Sequence, residues 1–89
     1  MKTIYKYPLQ IDPGVQVIAM PIKAKILSVQ TQGEMPCLWA LVDTDYDKEN
    51  RYFIIHGTGH QIDALAELDY IGTVQMIDGL YVWHVFEQL

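Results

Sequence analysis

Residues 70–86 read YIGTVQMIDGLYVWHVF, and this stretch decides the type of fold. Two runs rich in β-branched and aromatic residues flank Asp78-Gly79. That dipeptide is typical of the tight turns that join antiparallel strands, because both central residues of such a turn need a positive φ. The stretch therefore predicts a β-hairpin with strands over 70–77 and 80–86, and it favours antiparallel pairing in the rest of the chain.

Five earlier segments also have strand character. Alternation of side chains or β-branched runs predict strands over 3–9, 15–20, 25–31, 37–42 and 51–56. The segment 37–42 is apolar throughout, which indicates a central strand covered on both faces. The polar segment 43–50 predicts a hairpin loop. Short turns between successive strands predict that neighbours in sequence pair with each other.

One segment predicts a helix. Thr58 and Gln61 form the S/T-x-x-E/Q pattern of a capping box, and Ile62, Leu65 and Ala66 follow at helical spacing. We therefore expect one short helix between the fifth and sixth strands. The predicted fold class is α+β, mostly β: a twisted antiparallel sheet or small open barrel of about six to seven strands, with the helix covering one end.

Length and composition indicate one domain over residues 1–89. The chain has 51% hydrophobic and 19% charged residues, so it is not a disordered tail. No apolar run approaches the ~20 residues of a membrane span, and the first residues lack the apolar block of a signal peptide. The single Cys37 excludes an internal disulfide and fits a reducing compartment, so we expect a cytoplasmic location.

Charge is distributed unevenly along the sequence. The formal net charge is −5, and no Lys or Arg follows Arg51. Nucleic-acid binding needs a basic surface, so general nucleic-acid binding is not expected. The acidic C-terminal part either meets a basic protein partner or simply keeps the domain soluble.

The segment His56-Gly57-Thr58-Gly59-His60 is the most unusual local pattern. Its glycines allow close approach of the backbone, and N–H groups at the start of a helix hold anions. Arg51 on the preceding strand would supply a counter-charge. The alternative interpretation is a structural turn with a capping threonine.

Aromatic side chains exceed what a core this small can bury, so we expect the surplus at a pocket or an interface. The candidate ligand-binding residues are Trp39, Arg51, Tyr52, His56, Thr58, Gly59, His60, Tyr81 and Trp83. Unpaired strand edges and surplus rings also predict a homo-oligomer.

No pattern in the chain indicates catalysis, a metal or a cofactor. The three histidines and Cys37 lack the spacing of a zinc site, and a lone cysteine in an apolar strand is typical of a small buried side chain. The acidic run that starts at Asp43 fails as a calcium loop, because Lys48 and Ile54 stand where glycine and glutamate are needed. We therefore expect no enzymatic activity.

Five blocks in order resemble a known family. They are IYKYPL at 4–9, PCLWALVD at 36–43, GTGH at 57–60, YIGT at 70–73 and WHVFE at 83–87. Together they resemble a family of small phage, prophage and bacterial proteins described as a domain of unknown function. The resemblance carries no catalytic residues. It implies a compact accessory factor, such as an anti-defence protein, and the expected cytoplasmic location is that of the host cell if a phage encodes the chain.

The sequence thus predicts a non-enzymatic protein that sequesters a small nucleotide-derived ligand. Aromatic rings would stack on the base, while backbone N–H groups at 57–59 and the cations Arg51, Lys23 or Lys25 would hold phosphate. The alternative is a protein–protein inhibitor or adaptor that binds a host protein through an acidic, aromatic-rich surface.

Overall fold

In the computed structural model, which describes residues 1–89, the chain forms two antiparallel β-sheets that pack against each other. The strands are β1 (Lys2–Pro8), β2 (Gln16–Pro21), β3 (Lys25–Gln32), β4 (Met35–Asp43), β5 (Lys48–Gly57), β6 (Leu68–Met76) and β7 (Tyr81–Gln88). One sheet has the order β1-β4-β3, and the other has the order β2-β5-β7-β6. There is no helix, and therefore none that could span a membrane.

The predicted α+β class is wrong, and the fold is all-β. Each predicted strand overlaps an observed one, but they form two sheets rather than one twisted sheet or an open barrel. Only β3 with β4 and β6 with β7 pair as sequence neighbours. Residues 44–47 connect the two sheets and are not a hairpin loop. Two layers form because each sheet has one apolar face that must be covered.

The predicted helix between β5 and β6 is also wrong. The Asp63 side chain accepts the Leu65 N–H at 2.9 Å, and the Asp63 carbonyl accepts the Ala66 N–H at 3.1 Å. These bonds close a single turn. Leu65 remains 90% exposed, so no neighbouring element buries the apolar stripe that a helix this short would need for stability.

The core lies between the two sheets. Its buried side chains on strands include Met20, Val29, Leu38, Ala40, Val42, Phe53, Ile55, Val74 and Val85. On β4, Leu38, Ala40 and Val42 face this core, whereas Leu41 on the opposite face is 38% exposed. The prediction that both faces of this strand are covered is therefore wrong at Leu41.

The two sheets are in contact where β3 lies over β6. A Cβ atom at Gly72 would lie 2.7 Å from Cγ1 of Val29, well inside ordinary van der Waals contact. Gly72 does not have a positive φ. The glycine is required here by the space between the two layers.

The predicted β6–β7 hairpin is confirmed. Its turn closes with the Leu80 N–H donating to the Ile77 carbonyl at 3.0 Å. Asp78 and Gly79 have φ values of 51° and 84°, as this turn type requires. Ile77 also has a positive φ, of 52°, which is unfavourable for a β-branched residue.

Candidate functional site

A cleft lies at the end of the four-stranded sheet where β5 ends and β7 begins. It consists of two adjoining hollows of about 110 Å³ and 310 Å³, both lined by His60 and Trp83. The smaller hollow is completed by Ile55 and by Ile11, Asp12 and Pro13 from the β1–β2 connection. The larger one is completed by residues 57–58 and 80–82. We call the two hollows together the Trp83 cleft.

Aromatic rings form one wall of the Trp83 cleft. Tyr81 and Trp83 alternate on the same face of β7, and their rings are stacked with centroids 6.1 Å apart and planes at 9°. The His60 ring meets Trp83 edge-on, with centroids 6.3 Å apart and planes at 66°. This geometry provides flat apolar surface of the kind on which a planar ligand stacks.

The indole N–H of Trp83 is a buried donor without an acceptor. Leaving a buried donor unpaired costs about 1–3 kcal/mol. Indole nitrogen is a donor only, so the group that would satisfy it must carry an acceptor oxygen or nitrogen. Trp83 lines both hollows of the cleft, whereas its Nε1 atom is itself shielded from solvent, so a ligand in the cleft meets this donor only after a small shift of the ring or its neighbours.

His60 is oriented by the backbone. The Gly57 N–H donates to Nδ1 of His60 at 3.0 Å, so the neutral ring carries its proton on Nε2. A Cβ atom at Gly57 would lie 2.9 Å from both Nε2 and Cε1 of His60. A side chain at position 57 would displace the ring from this place. In its present position the His60 ring adds a second N–H donor to the cleft.

Thr58 lines the larger hollow, and its hydroxyl belongs to a chain of hydrogen bonds on the outer face of the four-stranded sheet. Its hydroxyl lies 2.8 Å from Nε2 of His84, and Nδ1 of His84 lies 3.0 Å from the Thr73 hydroxyl. The Tyr70 hydroxyl lies 2.6 Å from that of Thr73. Both nitrogens of His84 are thus engaged, and the chain fixes the 58–60 turn against β6 and β7.

Arg51 is not available as a counter-charge for the cleft. Its Nε and Nη2 each donate to Glu87 at 2.7 Å, and both side chains are 17% exposed. These hydrogen bonds raise the pKa of Arg51 above its usual value. Arg51 precedes Gly57 by six residues on β5, which corresponds to about 20 Å along the strand.

The two lysines predicted to hold phosphate lie near Arg51. Lys23 and Lys25 flank Ala24, whose carbonyl accepts a hydrogen bond from Nη1 of Arg51. No Lys or Arg lines either hollow of the Trp83 cleft, and Asp12 is its one carboxylate. The structure therefore separates the predicted cations from the predicted aromatic site.

The remaining candidates divide among several places. Four of the candidates line the Trp83 cleft, namely Thr58, His60, Tyr81 and Trp83. Gly59 lies in the turn between Thr58 and His60. Trp39 lies on β4 in the other sheet, opposite Lys6. Tyr52 and His56 lie on the outer face of the four-stranded sheet, where the centroid of the His56 ring is 6.0 Å from that of Phe86.

The predicted anion site at residues 57–59 loses its basis. No helix starts at Thr58, and the Gly57 N–H already donates to His60.

Sequence reasoning missed the contribution of the β1–β2 connection to the cleft. Asp12 and Pro13 indicate a turn, and nothing in their local pattern shows that they reach the 58–60 turn. This proximity follows from the pairing of β2 with β5, which β3 and β4 separate in the sequence. No group of three or more His, Cys, Asp or Glu side chains is arranged to hold a metal ion.

A second concave surface lies beside the 61–67 loop. This acidic groove, of about 590 Å³, is lined by apolar side chains that include Ile54, Leu65 and Leu68, and by Asp63 and Glu67. No Lys or Arg lines it. The groove opens on the outer side of the four-stranded sheet, since it also contains His56.

Comparison with known proteins gives the family. A protein-family model described as a domain of unknown function, DUF7352, matches residues 1–89. The chain belongs to this family. The match confirms the part of the predicted resemblance that concerns a domain of unknown function, while the phage and prophage setting stays a prediction. No curated protein and no solved structure matches the DUF7352 chain.

Proposed function

We propose that this DUF7352 protein is a non-enzymatic binding protein that holds the base of a small nucleotide-derived ligand in the Trp83 cleft. The observation that carries the proposal is the wall of stacked Tyr81 and Trp83 rings beside a hollow of about 310 Å³, with the unpartnered indole N–H of Trp83 at the edge of its ring. A nucleobase supplies both a flat ring to stack and acceptor atoms for buried donors. His60 would provide the second donor through Nε2.

The dimensions of the cleft limit the ligand. The larger hollow, of about 310 Å³, is at the lower end of the range for small-molecule sites. This volume fits a base or a nucleoside better than a whole dinucleotide. A larger ligand would extend into solvent or onto a second copy of the chain.

The charges of the cleft favour the nucleoside part of the ligand over its phosphates. Asp12 is the charged residue in the lining, and Arg51 is bonded to Glu87 far along β5. We therefore expect a nucleoside to bind at least as tightly as its 5′-monophosphate. Phosphate recognition by Arg51, Lys23 or Lys25 would need a different surface.

Calorimetric titration tests the proposal. The panel contains nucleosides, their monophosphates, cyclic dinucleotides and ADP-ribose derivatives. Trp83→Phe keeps a ring but removes the donor, so affinity should fall about tenfold, which corresponds to one hydrogen bond of about 1.4 kcal/mol. Trp39→Phe is the matched control and should bind normally. Absence of heat with every compound would refute the proposal.

Sequestration of such a ligand would suit an accessory or anti-defence factor of a phage or prophage. Support for that setting comes from the sequence resemblance. The alternative function, binding of a host protein by an acidic, aromatic-rich surface, stays a prediction. The acidic groove with Asp63 and Glu67 is the surface that such a partner would use.

A further inference from the structure

The most exposed large apolar side chain of the protein lies between two acids. Leu65 is 90% exposed, more than any other large apolar residue, and it stands on the loop that borders the acidic groove. Asp63 and Glu67 lie two residues to either side, and both are exposed. The loop thus presents one protruding apolar side chain with a carboxylate on each side of it.

The opposite sheet carries a hollow of matching character. The lysine hollow, of about 190 Å³, lies beside the three-stranded sheet, with Ile22 and Leu41 as exposed apolar side chains. Lys2, Lys23 and Lys25 also line it. None of these lysines forms a salt bridge within the chain. Asp43, the one acid in the lining, contacts the Met1 ammonium at 3.1 Å.

We propose that the Leu65 loop of one copy docks into the lysine hollow of a second copy. The two features belong to opposite layers of the same fold, so they cannot meet within one chain. Leu65 would contact Ile22 and Leu41, while Asp63 and Glu67 would face lysines that form no salt bridge within the chain, of which Lys23 lies 5.8 Å from the centroid of the Tyr46 ring. Both partners of this charge complementarity are present in one sequence, which makes a second copy the occupant that fits best.

The proposed contact is heterologous, because different surfaces meet. Such contacts form rings or open chains rather than closed two-fold dimers. One side chain in a small hollow buries far less surface than the ~1,600 Å² of a standard stable interface. The association is therefore weak, concentration-dependent and sensitive to salt.

Sedimentation velocity at increasing protein concentration tests the proposal. At low ionic strength the mean mass of the wild type should rise above that of the 10.2 kDa monomer. It should return to the monomer value in about 1 M salt, where the Debye length is about 3 Å. A wild type that remains monomeric at the highest concentrations would overturn the proposal.

Two complementary variants identify the contact. Leu65→Asn with Glu67→Lys changes the loop and leaves Asp63 in place, because its carboxylate holds the Leu65 N–H. Lys2→Glu with Lys25→Glu changes the hollow and leaves Lys23 in place, because its φ is 67°. Each variant alone should be monomeric.

A mixture of the two variants keeps one intact pair of surfaces, an unchanged loop and an unchanged hollow. It should therefore form a one-to-one complex of twice the monomer mass. Leu80→Asn, at a residue that is 70% exposed on the β6–β7 turn, is the matched control and should associate like the wild type. Variants that associate as the wild type does, or a mixture that stays monomeric, would overturn the proposal.

Discussion

Gly72 and Val29 give the sharpest test of how the two sheets pack. Gly72→Ala introduces a methyl group 2.7 Å from Cγ1 of Val29, about 1 Å closer than an ordinary carbon–carbon contact. Overpacking of this kind costs about 1–3 kcal/mol, and the reduced entropy of the unfolded chain returns about 0.4–1 kcal/mol. We expect Gly72→Ala to lower the free energy of unfolding by about 1–2 kcal/mol.

The partner substitution sets up a double-mutant cycle. Val29 is 8% exposed, so Val29→Ala removes two buried methyl groups at about 0.8 kcal/mol each and leaves a cavity. We expect a loss of about 2–3 kcal/mol. In the double variant the new methyl at position 72 occupies part of that cavity, so its cost should be about 1–2 kcal/mol less than the sum of the single costs.

Urea denaturation followed by circular dichroism measures all four proteins. Gly14→Ala is the control, because no atom lies within 4 Å of a Cβ placed there. Costs that simply add, with no coupling between positions 29 and 72, would refute the packing of β3 over β6. Equal denaturant slopes would show that the unfolded states are comparable.

Three further outcomes are expected. Ile77→Asn should raise the free energy of unfolding by about 1 kcal/mol in urea denaturation, because Ile77 has a φ of 52° and asparagine tolerates that conformation. Glu87→Gln should lower the free energy of unfolding by about 2–4 kcal/mol, because Arg51 loses the carboxylate that it contacts at 2.7 Å. The control Glu49→Gln, on the exposed surface, should have little effect. Burial raises the pKa of Tyr7 above its usual 10.0, so its contribution to stability should be complete below pH 10 and decline as the pH rises beyond it. Tyr7→Phe should lessen that decline and should remove a late-titrating component from the phenolate absorbance.

The strands could be predicted from the sequence because each is defined by local patterns. Side-chain alternation and turn residues such as Asp78-Gly79 depend only on neighbours in the chain. The pairing of β1 with β4 and of β2 with β5 joins distant segments, and no local pattern encodes it. The helix prediction failed for a related reason: the 58–67 segment has helical periodicity, but no surface covers Leu65.

The candidate site could be predicted in part. Glycine spacing and ring content predict four residues that the structure places together: Thr58, His60, Tyr81 and Trp83. Arg51 was expected to serve the same site because it lies on the strand that leads to it. Its side chain instead bonds to Glu87, a residue that is opposite Phe53 on β7 only once the sheet has formed.

The two indole N–H protons of the protein provide the most direct test of ligand binding in the Trp83 cleft. In a ¹H–¹⁵N NMR titration with nucleosides, Trp83→Phe and Trp39→Phe assign the two resonances. The Trp83 resonance should move downfield as its N–H gains an acceptor, while that of Trp39, on the other sheet, should stay in place. If the Trp83 resonance stays fixed throughout, or if only that of Trp39 moves, the cleft is not where this protein holds its ligand.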